Sequence, residues 1–171
     1  TLARDVVTLT RLAESKSESV PVIPAIKQSN DGHRTWTFRK LQSRLHDLKG
    51  KTVAVLGLTY TPNTDTLRRS AAVELSQQLL AAGAKVVAFD PAVKSLPPKL
   101  KEISLAMDIS RALQNADAAV ICTEWPQFRE ADWARIIPQM RGRIIIDPNR
   151  FLENVLKNII GVEHLSVGRA A

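Results

Sequence analysis

The sequence predicts an α/β fold, a three-layer domain on a parallel, doubly wound sheet, preceded by a helical appendage. Three observations carry that prediction. Continuous apolar, β-branched runs recur at Val53–Leu56, Val86–Phe89, Ala118–Cys122 and Arg143–Ile146, each short enough for a strand. Helical patterns separate them, and strands that read as unbroken apolar runs between helices are parallel strands covered on both faces. Gly57 then ends the first run, and a polar loop with Arg68 and Ser70 leads into an amphipathic segment. In a doubly wound sheet, that strand-to-helix turn is where a phosphate-bearing ligand sits.

The elements follow in order. Leu2, Val6, Leu9 and Leu12 keep helical spacing, widened by Val7, and Glu14 to Ser19 is a polar break. A second helical pattern runs through Ile26, Trp36, Phe38, Leu41, Leu45 and Leu48. Pro21 and Pro24 lie near its start, Gly32 weakens its continuity, and Lys49-Gly50 closes it. Two such helices hide their apolar faces poorly, so residues 1–49 read as a piece of a larger helical unit or a dimer surface. After the first strand, Ser70–Ala82 reads as a helix ended by Gly83. Asp65, Thr66 and Ser70 all qualify as its cap. Ser95–Lys101 is a proline-interrupted loop, and Ser110–Asn115 and Trp133–Gln139 are short helices.

Composition narrows the class. The chain has 171 residues, 44% hydrophobic, 24% charged and only 5% aromatic, so it is long enough for one domain with an aliphatic core. No apolar run is long enough to span a membrane, and the N-terminus has no apolar signal core behind it. One cysteine excludes a disulfide framework, and the expected compartment is the cytoplasm. The net charge of +7 is spread over separate segments with no long like-charge block, which suits a solvated basic surface or an anionic ligand better than nucleic acid.

The full G-x-G-x-x-G fingerprint is absent, so Gly57 fits a tight turn as well as close approach to a ligand. Asp90 ends the second strand, where a dinucleotide site keeps its ribose-binding acid, but Asp90-Pro91 suits a turn better. Cys122 at a strand's end reads as a small core residue. His33, His46 and His164 show no metal-ligand spacing, and Trp36, Trp125 and Trp133 form no evident stacking platform. No catalytic residue and no metal site emerges.

Taken together, the run Val-Leu-Gly-Leu-Thr-Tyr-Thr-Pro-Asn-Thr-Asp-Thr-Leu-Arg-Arg-Ser resembles the signature that opens the C-terminal domain of the UDP-glucose/GDP-mannose dehydrogenase family. Gly83-Ala84-Lys85-Val86 leading to Phe89-Asp90-Pro91 is similar to that domain's second strand. Ala116-Asp117-Ala118 with Thr123-Glu124-Trp125-Pro126-Gln127-Phe128, and then Arg143–Asp147, are similar to its later segments. The resemblance covers residues 50–152 strongly and implies a Rossmann-like sheet over 50–171. Residues 1–49, with Leu2–Leu12 and Asn30, resemble the helical end of the same family's central dimerisation domain.

What the resemblance implies is a C-terminal fragment of an NAD-dependent nucleotide-sugar 6-dehydrogenase. The family oxidises the sugar C6 hydroxyl to a carboxylate in two hydride transfers, through a thiohemiacetal on a cysteine that would lie before Thr1. The fragment alone is then inactive, binds the nucleotide-sugar part, and pairs as a homodimer through its N-terminal helices. The resemblance gives Tyr60, Thr61 and Arg150 to the nucleotide sugar and Arg68 to the NAD phosphates. Two departures stand out: Thr61 replaces the usual Lys, and Arg150 falls one position later than the family's Asp-x-Arg. The rival readings are a noncatalytic nucleotide-binding or regulatory module, and a basic nucleic-acid-binding adaptor whose binding would fall steeply with salt.

Overall fold

The computed structural model describes residues 2–168, with side chains from Arg4 onward, and the side chain of Leu2 lies outside that range. The chain divides into two compact units, Thr1–Trp36 and Thr37–Ala171. The division falls at Trp36, earlier than the boundary after Lys49 that the sequence suggests.

The first unit pairs α1 (Leu2–Ser15) with α2 (Val22–Arg34). α1 ends in a Schellman motif: Ser17 turns left-handed at φ 56, its N–H donates to the Glu14 carbonyl, and the Glu18 N–H donates to the Ala13 carbonyl. α2 begins just after Pro21, with Pro24 in its first turn, where neither missing N–H is needed. The single long helix read across Ile26 to Leu48 is two. The break lies at Thr35, whose hydroxyl donates to the Gly32 carbonyl at 3.0 Å, and α3 (Trp36–Leu45) follows.

The break changes what the apolar stripe does. Leu41 and Leu48 are buried within the chain, and Trp36, Phe38 and Leu45 are half-buried. That stripe therefore does not supply the exposed surface on which self-association was expected. Among the described residues of the first unit, the exposed large apolar side chains are instead Leu9, Leu12, Val22 and Ile26.

In the second unit, β1 (Thr52–Leu56), α4 (Ala71–Ala81) and β2 (Lys85–Phe89) form the first strand–helix–strand unit, with the two strands paired in parallel. β3 (Ser104–Leu105), α5 (Ile109–Leu113), β4 (Ala118–Ile121), α6 (Gln127–Glu130) and α7 (Trp133–Ile136) follow. β5 (Ile144–Ile146), α8 (Glu153–Leu156) and β6 (Glu163–Leu165) complete it. All neighbouring pairs are parallel, and the strand order is β3-β2-β1-β4-β5-β6. This is the order of the doubly wound dinucleotide-binding fold.

Central position explains composition. Every residue of β4 and all but Thr52 of β1 are buried, because helices cover both faces. The few aromatics are concentrated in one layer, where Phe128 and Trp133 are fully buried and the Trp133 indole N–H donates to the Phe128 carbonyl at 2.6 Å. At the amino edge of the sheet, Asp117 accepts from the Thr52 N–H at 2.8 Å and from Arg141 at 2.9 Å.

Candidate functional site

The carboxyl edge of the sheet carries every residue singled out for binding. Tyr60, Thr61 and Arg68 lie on the loop from β1 to α4, and Arg150 lies on the turn from β5 to α8. β4 runs between β1 and β5, and its exit segment touches both loops. Thr123 Oγ1 donates to the Thr59 carbonyl at 2.7 Å, and Asn149 Nδ2 donates to Glu124 Oε1 at 2.8 Å. Topology thus gathers the β1–α4 and β5–α8 loops around Thr123-Glu124-Trp125.

The first loop is closed by its own backbone. The Tyr60 N–H donates to the Thr66 carbonyl at 2.9 Å, and Asn63 and Arg69 take left-handed conformations at φ 63 and 61. Tyr60, Thr61 and Arg68 are exposed, and the loop holds Arg68 by its backbone N–H, which donates to Thr66 Oγ1. Of the three candidate caps, Ser70 is the one used: its Oγ accepts from the Ala72 and Val73 N–H groups at 3.1 and 3.3 Å. In the second loop Arg150 sits at φ 60 and its guanidinium donates to the Val167 carbonyl at 3.2 Å.

The strand order invites a dinucleotide, and three features decide against one in this crevice. A Cβ on Gly57 would lie 2.4 Å from the Thr123 Cβ, so the space beside that glycine is filled by the chain itself. The first free N–H groups of α4, which would grip a phosphate, are capped by Ser70. Asp90, at the ribose position, is buried and already accepts from Leu58, Thr59, Ala92 and Trp125. NAD does not fit here as a whole dinucleotide, and Arg68 and Arg69 are the exposed cations of this loop that could meet a phosphate held elsewhere.

Gly57 therefore serves a close approach, though to Thr123 and not to a ligand. Asp90 does make the expected turn, accepting from the Ala92 N–H, but most of its bonding is to the β1–α4 loop. Asp147 and His164, to which the sequence assigns no binding role, lie 3.2 Å apart at the base of the second loop. Cys122 follows β4, with its N–H continuing the ladder to the Leu56 carbonyl. Burial pushes its thiol up to about 12, which keeps it protonated at neutral pH. Among the described residues no group of acidic, cysteine or histidine side chains could hold a metal ion.

Similarity to known proteins agrees with this geometry. The chain is 37% identical over 150 residues to the UDP-glucose 6-dehydrogenase of Haloferax volcanii, covering 87% of this chain and 34% of the relative. It is 34% identical over 170 residues to the UDP-glucose 6-dehydrogenase of Rhizobium meliloti, covering 97% of this chain and 38% of the relative. The solved UDP-glucose dehydrogenase of Pyrobaculum islandicum superposes with a TM-score of 0.72 at 30% identity, over 85% of this chain and 32% of that one. The chain thus spans about a third of the length of these relatives. Residues 54–154, which include both carboxyl-edge loops, match the UDP binding domain of the UDP-glucose/GDP-mannose dehydrogenase family, and the chain belongs to that family.

Proposed function

We propose that the chain is the nucleotide-sugar-binding part of an NAD-dependent nucleotide-sugar 6-dehydrogenase, a cytoplasmic enzyme that oxidises the sugar C6 hydroxyl to a carboxylate. The observation that carries this reading is the convergence of the β1–α4 and β5–α8 loops at the carboxyl edge of a sheet in dinucleotide-fold order, within the stretch matched by the UDP binding domain. The chain's own role is to bind and orient. Tyr60 offers an exposed ring face and hydroxyl, Thr61 a hydroxyl, and Arg150 a guanidinium on the facing loop. Arg68 reaches the NAD phosphates, with the dinucleotide held outside this crevice. NAD supplies the hydride acceptor when bound, and none of that chemistry is assigned to residues of this chain.

The same reading makes the chain alone inactive, since its one thiol is Cys122, half-buried after β4 and held protonated. Titration with UDP and UDP-glucose should give measurable binding. Incubation with NAD and UDP-glucose, UDP-N-acetylsugars or GDP-mannose should give no NADH. NADH formation that persists in Cys122→Ala would overturn both the inactivity and the assignment of the chemistry.

Self-association through the N-terminal helices belongs to the same proposal, now resting on Leu9, Leu12, Val22 and Ile26, which α1 and α2 leave exposed. Light scattering should give a dimer for the whole chain and a monomer for residues 37–171. Equal masses per chain in both samples at micromolar concentration would rule the helices out as the contact.

A further inference from the structure

Two buried carboxylates at the carboxyl edge share one arrangement. Asp90 follows β2 and is 2% exposed. Its Oδ2 accepts from the successive backbone N–H groups of Leu58 and Thr59 at 2.7 and 2.9 Å, and from the Trp125 indole N–H at 3.2 Å. Asp147 follows β5 and is 1% exposed. It accepts from the successive N–H groups of Phe151 and Leu152 at 3.0 and 2.7 Å, and its Oδ2 lies 3.2 Å from the His164 ring Nε2. Each carboxylate gathers two consecutive amides from a ligand loop and one ring nitrogen from a further segment.

A turn alone does not need this. Ala92 already satisfies the Asp90 turn through Oδ1 at 2.9 Å, and the other oxygen is left for the neighbouring loop. Thr59 adds its hydroxyl to Oδ2 at 3.0 Å, while Thr123 holds the Thr59 carbonyl from the opposite side. Leu58 and Thr59 directly precede Tyr60, so their fixed peptides aim Tyr60 and Thr61. Around Arg150 the grip is also double. Its own N–H donates to the Asp147 carbonyl at 3.1 Å, and the next N–H donates to the Asp147 carboxylate. Buried amides deprived of such an acceptor force the backbone to rearrange.

We propose that Asp90 and Asp147 are the positioning residues of the two ligand loops, Asp90 for Tyr60 and Thr61, Asp147 for Arg150. The proposal rests on the reading that these loops bind the nucleotide sugar. Asp90 stands where a dinucleotide fold keeps a ribose ligand, and here that carboxylate is turned inward to organise a loop instead.

The test uses the 171-residue chain, with amide exchange read by NMR and UDP as the probe ligand. Asp90→Asn removes the charge, and its single oxygen serves either the loop or Ala92. Exchange at Leu58 and Thr59 should quicken, and UDP should bind more weakly, each by at least about tenfold, while Ile145 in β5 keeps its protection. Asp147→Asn should do the same at Phe151 and Leu152. Thr59→Val keeps shape and removes one donor to Asp90, and Thr59→Ser returns the hydroxyl. If Asp90→Asn does not fold, weaker UDP binding in Thr59→Val restored in Thr59→Ser supports the proposal, and equal affinity in the two overturns it. Quicker exchange with unchanged UDP affinity makes the carboxylates structural only and overturns it, as does unchanged exchange. Should the wild-type chain not bind UDP, the ligand reading fails, and exchange in the variants still decides whether the carboxylates set the loops.

Discussion

Gly57→Ala should cost the fold about 2–5 kcal/mol, the sum of a left-handed backbone penalty and an overpacked contact. Gly57 sits at φ +89, and an added Cβ would lie 2.4 Å from the Thr123 Cβ and 2.5 Å from the Thr123 backbone nitrogen. That neighbour is backbone at the exit of a central strand, so it cannot swing aside as a surface side chain would. Gly50 separates the two causes. It has a similar φ of +72 and nothing within 4 Å of the added carbon. Gly50→Ala therefore carries the backbone penalty alone, about 1–2 kcal/mol. Denaturant unfolding measures both as shifts of midpoint at constant slope. Equal losses in the two variants would mean that the β1 and β4 exits part easily, and that the tight contact does not define this edge.

That contact also marks the limit of what the sequence can say. The four central strands are legible because burial on both faces leaves continuous apolar runs, and Ser70 is legible as a cap because capping is local. β3 is only two residues long, and β6 is Glu163, His164 and Leu165, which carries no apolar run. Such edge strands exist because a neighbour offers a free ladder, not because their own residues prefer it. The helix break at Thr35 is hidden for the opposite reason, since the apolar spacing continues across it.

The site divides in the same way. The loop Tyr60–Arg68 is legible from its position after a strand and from its signature. Its anchor is not, because Asp90 lies more than 30 positions from Leu58, Thr59 and Trp125, the groups it binds. Only the strand order brings them together. One signal was available: Asp90 and Trp125 both follow strands that pair with β1. A buried acid and an indole N–H at adjacent strand exits are natural partners.

In the full-length protein, Arg68→Ala should weaken NAD by roughly 1.5–3 kcal/mol, the worth of a charge-assisted hydrogen bond to phosphate, and leave the nucleotide sugar nearly unaffected. The motivation is an exposed guanidinium on a loop whose backbone is already tied down, in front of a helix whose own amides are capped by Ser70. Because Arg68 is solvated, the loss should shrink as salt is raised. Thr61→Lys should act on the other ligand. It returns the family's usual cation to an exposed loop position, so UDP-glucose should bind more tightly, by about 1.5 kcal/mol, with NAD little changed. Separate titrations of each ligand on each variant give a two-by-two pattern. The expected pattern is diagonal, because Thr61 lies inside the turn that the Tyr60–Thr66 bond closes and Arg68 lies beyond it. If Arg68→Ala leaves NAD binding untouched, the arginine is a surface residue, and the loop serves the nucleotide sugar alone.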